Sequence, residues 1–176
     1  MDPETGILYV PSRTQLQVLS LAKNPESDID LSAGFGVRVP RVQGLQIVKP
    51  PYGRITAIDM NSGDHLWMIA NADTPDQIAN HPLLEGVDLP RTGVPTRSGI
   101  LLTKTLLFVG ERSGTAGVSP IIRAIDKQTG DIIAEIDLPD NQTGLPLTYE
   151  HDGKQYLAMF VGGSGAPAEL VAFALP

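Results

Sequence analysis

The chain has 176 residues, 20 acidic against 13 basic side chains, a formal charge of −7, and an apolar fraction of 41%. That length can bury the core of one domain, and an acidic balance without a basic stripe argues against nucleic acid as a partner. The lack of any cysteine excludes disulfides, thiolate metal sites and a cysteine nucleophile, and no apolar run reaches the length of a membrane-spanning helix.

The 18 glycines and 15 prolines gather between short apolar runs, which favours strands joined by turns over helices. The opening Met1-Asp2-Pro3-Glu4-Thr5-Gly6 has neither the basic nor the apolar region of a signal peptide, so either the protein is not exported or its start has been removed. Residues 6–11 and 16–21 read as two short strands around a polar turn. Residues 24–44 show no periodicity and read as a long surface loop, in which Asp28 and Asp30 are solvated rather than a calcium site. A strand over 45–48 runs into Lys49-Pro50-Pro51-Tyr52-Gly53, where the prolines mark an edge or a bend.

Next comes Ile55-Thr56-Ala57-Ile58-Asp59-Met60-Asn61-Ser62-Gly63-Asp64-His65-Leu66-Trp67. The chain repeats this pattern as Ile122-Arg123-Ala124-Ile125-Asp126-Lys127-Gln128-Thr129-Gly130-Asp131-Ile132-Ile133-Ala134. Each copy reads as a tight hairpin: an apolar run ends in Ala-Ile-Asp, a polar turn closes on Gly, and a second apolar run follows. Asp59 and Asp126 stand where a carboxylate accepts turn N–H groups, which makes them turn staples. Trp67 is expected between adjacent sheets and His65 on the surface.

Between the copies, Thr74 as N-cap with Pro75 at the first helical position would start a short helix that His81-Pro82 stops. His81, near Asp76 and Glu85, reads as a loop residue rather than a ligand or base. Residues 99–103 and 106–111 are strands whose unbroken apolar runs imply burial on both faces. Residues 146–150 and 155–160 form another hairpin around Asp152-Gly153, with His151 at its tip. The glycines of Val161-Gly162-Gly163-Ser164-Gly165-Ala166-Pro167 let another group approach the backbone; no helix start follows, so a phosphate-cradling loop is disfavoured and 169–173 reads as a strand.

Repeated hairpins are the mark of a propeller or a related all-β array. Several stretches make the resemblance specific. Asp2-Pro3-Glu4-Thr5-Gly6-Ile7-Leu8-Tyr9-Val10-Pro11, Lys49-Pro50-Pro51-Tyr52-Gly53-Arg54-Ile55-Thr56-Ala57-Ile58-Asp59, Thr103-Lys104-Thr105-Leu106-Leu107-Phe108-Val109-Gly110, Asp152-Gly153-Lys154-Gln155-Tyr156 and Leu170-Val171-Ala172-Phe173-Ala174-Leu175-Pro176 occur in order. The series resembles the C-terminal part of a dehydrogenase dependent on pyrroloquinoline quinone (PQQ), in the membrane-bound glucose and polyol branch.

The resemblance implies an all-β fold, a partial β-propeller of about three to four four-stranded antiparallel blades from an eight-bladed quinoprotein ring. It divides the single domain 1–176 into an incomplete blade over 1–23, a loop over 24–44, a blade over 45–72, a connecting loop over 73–97, a blade over 98–139 and an incomplete final blade over 140–176. The parent would carry PQQ and calcium, oxidise a sugar, polyol or alcohol, pass electrons to a membrane quinone and work in the periplasm. Its catalytic base, calcium ligands and the cation at the quinone oxygens would lie upstream, so this chain alone is expected to be inactive and to bind neither cofactor tightly. The residues implied at the cofactor are Gly163, Ser164 and Gly165, with none catalytic and none metal-ligating. Ser164 stands where glucose-type members often have His and alcohol-type members Trp, which puts both substrates in doubt. Open blade edges imply pairing with the missing upstream portion or self-association. The alternative reading is a non-catalytic propeller-type binding or assembly module.

Overall fold

Two Asp-stapled hairpins set the frame. The computed structural model describes residues 1–97, 99–111, 120–163 and 167–174, with backbone alone at 33–37. In chain order, β1 (Ile7–Arg13) is followed by an excursion holding β2 (Val18–Ala22), β3 (Ser32–Val37), β4 (Arg41–Val42) and β5 (Leu45–Gln46); the chain then forms β6 (Gly53–Asp59) and β7 (His65–Ala70). A single helical turn, α1 (Asp76–Ala79), and a 3-10 turn over Pro82–Leu84 precede the remaining strands. These are β8 (Ile100–Leu102), β9 (Leu106–Glu111), β10 (Ile121–Asp126), β11 (Ile132–Asp137), β12 (Leu147–His151), β13 (Lys154–Val161) and β14 (Glu169–Ala174).

They build three main antiparallel sheets in the orders β1-β6-β7, β11-β10-β9-β8 and β12-β13-β14, with β2-β3 and β4-β5 as separate small hairpins. The fold is a partial propeller of three blades, of which the middle one has all four strands among the described residues. The middle sheet is buried on both faces because its side chains alternate. Leu107, Val109 and Ile125 meet Tyr9, Ile55 and Ala57 of the first sheet, while Ile122 and Phe108 meet Leu157, Met159 and Val161 of the third.

The repeat is matched in detail. In each copy the register slips one residue, between Ala57 and Ile58 and between Ala124 and Ile125. Asp59 Oδ1 accepts the N–H of Asn61 at 2.8 Å, and Asp126 Oδ1 accepts those of Gln128 at 2.7 Å and Thr129 at 3.1 Å. Trp67 packs across the first blade boundary: a Cβ built on Gly130 would lie 3.1 Å from its ring, and its Nε1–H donates to the Lys127 carbonyl at 3.2 Å. Tyr9 Oη donates to the same carbonyl at 3.1 Å, with its ring 5.8 Å from that of Trp67.

Lys127 also ties down the N-terminus. Its Nζ donates to Asp2 Oδ2 at 2.7 Å, and both side chains are buried. Hydrogen bonds from Lys127, Thr5 Oγ1 and the Glu4 N–H hold the Asp2 carboxyl down to about 2 from an ordinary 3.8, and the Asp2 partner raises the Lys127 pKa. A depressed acid pKa contributes stability that is whole above the unfolded value and lost as pH falls through the folded one. The stability advantage of the native chain over Asp2→Asn should therefore shrink as pH falls from about 4 and vanish near pH 2. Thermal unfolding followed by fluorescence of Trp67, the sole tryptophan, checks this; a gap that does not change with pH would refute it.

Several local expectations need correction. The strand over 6–11 pairs not with 16–21 but with β6, in the register Ile7↔Asp59 to Arg13↔Gly53. One sheet thus draws on both the 1–23 and the 45–72 segments. The excursion read as a loop over 24–44 contains β3, which pairs with β2, and part of the β4-β5 hairpin. The strand read over 45–48 is only the two-residue β5. Thr74 does not cap α1: Pro75 holds the N-cap position, and Thr74 Oγ1 instead accepts the Thr92 N–H at 3.0 Å. His81 caps the 3-10 turn, with Nδ1 accepting the Leu83 N–H at 3.2 Å and Nε2 within 2.9 Å of the Gln43 carbonyl.

Candidate functional site

Antiparallel pairing divides the molecule into two ends. The tight turns after β6, β8, β10 and β12 lie at one end, so the C-terminal ends of β1, β9 and β13 lie at the other. At that second end the three sheets border a cavity of about 480 Å³. Its wall includes Arg13 at the end of β1, Arg97 just before β8, Asn141 and Gln142 before β12, and Gly162 and Gly163 after β13.

Each is held by the local fold. Gly53 and Gly93 bring two backbones together: Tyr52 donates its N–H to the Thr92 carbonyl at 2.7 Å, and Val94 donates to that of Asn71 at 2.9 Å. This contact delivers Pro95, Thr96 and Arg97 to the cavity, and Asn71 Nδ2 adds a bond to Thr96 Oγ1 at 3.3 Å. Gln142 ties the middle sheet to the connection that follows it. Its Oε1 accepts the Gly110 N–H at 2.6 Å, and its Nε2 donates to the carbonyls of Gly99 and Gly144 at 3.1 and 2.7 Å. Gln142 is therefore fully occupied as a brace.

Asn141 is different. Its Nδ2 and backbone N–H both donate to Asp140 Oδ1, but its buried Oδ1 has no hydrogen-bond donor among the described residues. Buried polar atoms are nearly always paired, so an orphan beside a cavity marks where a ligand donor fits. Gly162 and Gly163 have φ of 155° and 101°, and the Gly162 N–H donates to the Asn141 carbonyl at 2.8 Å. A Cβ at Gly163 would meet nothing within 4 Å among the described residues, which leaves the backbone there open to a bound group.

Of the residues expected at a cofactor, Gly163 lines this cavity, whereas Ser164 and Gly165 lie outside the described residues. Arg13, Arg97 and Asn141 went unread in the sequence. A cation in each of two distant segments is the only trace they leave there.

A buried ionic cluster lies apart from the cavity lining, at the boundary of the first two sheets. Arg123, with a side chain only 3% exposed, contacts Glu111, Glu135 at 2.7 Å and Asp73 at 3.1 Å. Ala72, in the left-handed region at φ 75°, turns the chain after β7 just before Asp73. Burial works against the charge of Asp73, but Arg91 and Arg123 outweigh it and keep its carboxyl below the ordinary range. The cluster is complete in itself and reads as structural.

Three stacked antiparallel sheets, a repeated Ala-Ile-Asp hairpin and a polar cavity at the connection end define a segment of a β-propeller. The family described as the β-propeller domain of PQQ-dependent glucose, ethanol and alcohol dehydrogenases matches residues 1–157, and the chain belongs to it. It is 36% identical to the glycerol dehydrogenase large subunit of Gluconobacter thailandicus over 210 aligned positions, covering 99% of this chain and 27% of that protein. The quinoprotein glucose dehydrogenase of Gluconobacter oxydans (strain 621H) is 29% identical, covering 81% of this chain and 17% of the relative. Among solved structures, the quinohemoprotein alcohol dehydrogenase from Comamonas testosteroni superposes with a TM-score of 0.56 at 20% identity, over 92% of this chain and 21% of that one. The chain therefore spans about a quarter or less of the length of these relatives. No helix among the described residues is long and apolar enough to cross a membrane.

Proposed function

We propose that this chain supplies three blades and one wall of the cofactor cavity of a PQQ-dependent dehydrogenase acting on a polyol, sugar or alcohol. The observation that carries the reading is the cavity: it gathers two arginines, an orphaned amide oxygen and an open glycine backbone from all three sheets. PQQ is a flat quinone rimmed with carboxylates, so cations, a hydrogen-bond acceptor and close backbone approach suit it. Bound there, it would supply the electron acceptor for oxidation of a hydroxyl-bearing carbon.

The chain's own part is to bind and orient. Arg13 and Arg97 would hold anionic groups, Gly162 and Gly163 would let the plane of a ligand approach, and Gln142 would keep their strand ends in register. Calcium fits this wall poorly, since it favours carboxylate oxygens and the described lining has none. On this reading the metal ligands and the base that takes the hydroxyl proton belong to other blades. Periplasmic location and electron transfer to a membrane quinone are part of the same proposal. So is pairing with further blades or a second copy, supported by β1 and β14, which each have one edge without a partner strand among the described residues.

The test is reconstitution. The purified chain, mixed with a separately produced upstream portion of such an enzyme, should bind PQQ with calcium present and reduce a dye with polyols or sugars; neither part alone should do so. Two folded parts that together bind no PQQ would sink the proposal and favour a non-catalytic propeller module.

A further inference from the structure

β2 is exposed along its whole length, and so is the stretch from Gln15 that leads into it. It pairs only with β3, which leaves its other edge without a partner strand among the described residues. A lone two-stranded hairpin is marginal in water, and a further strand laid along an exposed apolar edge stabilises it. Side chains alternate along a strand, so Leu19 and Leu21 share one face of this arm. Both are exposed, as are Ile29 and Leu31 at its tip. An apolar surface of that kind marks a contact site.

The charges say what covers it. The tip holds Glu26, Asp28 and Asp30 against one cation, Lys23. The base holds Arg38, next to the Val18↔Val37 pair that ends the hairpin, and Arg41, which borders a small cavity of about 200 Å³ together with Gln15 and Leu16. An arm with an acidic tip and a basic base is complementary to the same arm turned end for end, which is what a two-fold axis supplies. A lipid surface has no such polarity along it, and an anionic one repels the tip.

We infer that two copies of the chain pair through β2, antiparallel about a two-fold axis, to make one four-stranded sheet in the order β3-β2-β2-β3. With the axis at Ser20, Leu19 of each copy lies opposite Leu21 of the other, so four leucines form one apolar patch. The end of each arm that carries Asp28 and Asp30 then lies beside Arg38 and Arg41 of the other. Gln15 and Gln17 also line the larger cavity, so the tip of one copy stands at the rim of the other's cavity. This interface is separate from the free edges of β1 and β14, and it stands without the dehydrogenase reading.

Sedimentation velocity on this chain across a concentration series should show a monomer–dimer equilibrium. Leu21 is 70% exposed and adds little to the monomer's own packing, so Leu21→Glu should give a monomer that circular dichroism shows to be folded. Reversing the tip with Asp28→Arg and Asp30→Arg, or the base with Arg38→Asp and Arg41→Asp, should each raise the dimer dissociation constant at least about tenfold. An equimolar mixture of the tip variant and the base variant should dimerise again, because opposite charges then face each other between copies. Leu170→Glu on β14 should leave the dimer intact; a dimer lost there but not with Leu21→Glu would place the contact on a blade face and overturn the inference. A monomer at every concentration, charge variants that dimerise as the native chain does, or a mixture that fails to recover would each overturn it too. So would a monomer that floats with phosphatidylcholine vesicles unless Leu21 is replaced, which would assign the arm to a lipid surface.

Discussion

Replacing Arg123 with leucine should lower the stability of this chain by about 3–5 kcal/mol, the range for stranding one partner of a buried ion pair. The guanidinium is almost wholly enclosed and engages Glu111, itself buried, together with Glu135 and Asp73 at the rim. Removing the cation leaves Glu111 buried with an unmatched charge. Glu135 and Asp73 are 47% and 64% exposed, so water screens them and they add little to the loss. Replacing Glu111 with leucine as well should recover much of the stability, because apolar groups can fill such a site without a desolvation cost. Urea unfolding followed by Trp67 fluorescence measures both effects. A single-variant loss below about 1 kcal/mol would mean that the cluster is solvated, contrary to its burial.

Arg123 also illustrates what the sequence could and could not disclose. The repeated Ala-Ile-Asp hairpins were legible because every determinant is local: the staple, the positive-φ glycine and the apolar alternation all lie within about a dozen residues. The Asp152-Gly153 turn was legible for the same reason, and both residues have positive φ. The partner of β1 was not, because β6 lies beyond the whole excursion of residues 14–52 and a nearer strand competes for it. The ionic cluster and the cavity share that difficulty. Arg123, Glu111 and Asp73 come from three separate stretches, as do Arg13, Arg97 and Asn141, and only the stacking of sheets brings each set together. The openness of the backbone at Gly163 was legible because glycine reports its own conformational freedom, whereas an arginine carries no local mark of what it faces.

A second large effect is expected at Gly53. Its backbone φ is ordinary, so the constraint is space: a Cβ there would lie 2.0 Å from the Val94 carbonyl oxygen and 3.1 Å from that of Asn71. Both are backbone atoms and cannot rotate aside. Gly53→Ala should therefore cost about 3 kcal/mol, at the upper end for overpacking. Gly63→Ala should cost only about 1 kcal/mol, since φ is 82° but nothing lies within 4 Å of the added atom. The same unfolding assay ranks the two; equal losses would contradict the close approach. Gly53→Ala should also disturb the cavity, because the strained contact is the one that carries residues 95–97 to its wall. Weaker PQQ binding by a still-folded variant, mixed with the upstream portion, would reveal that link.

The separation of tight turns from long connections bears on how such a chain can change. At the stapled end, one added residue would break the Asp-to-amide bonds and shift a strand's side chains to the wrong face. At the other end, the whole stretch 14–52 is accommodated between β1 and β6 while their register stays unbroken from Ile7↔Asp59 to Arg13↔Gly53. New ligand preferences can therefore arise by lengthening or rewriting connections, with the sheets left intact beneath them. Insertions tolerated in directed evolution should cluster on the cavity side, which makes the molecule a scaffold with one conservative end and one inventive end.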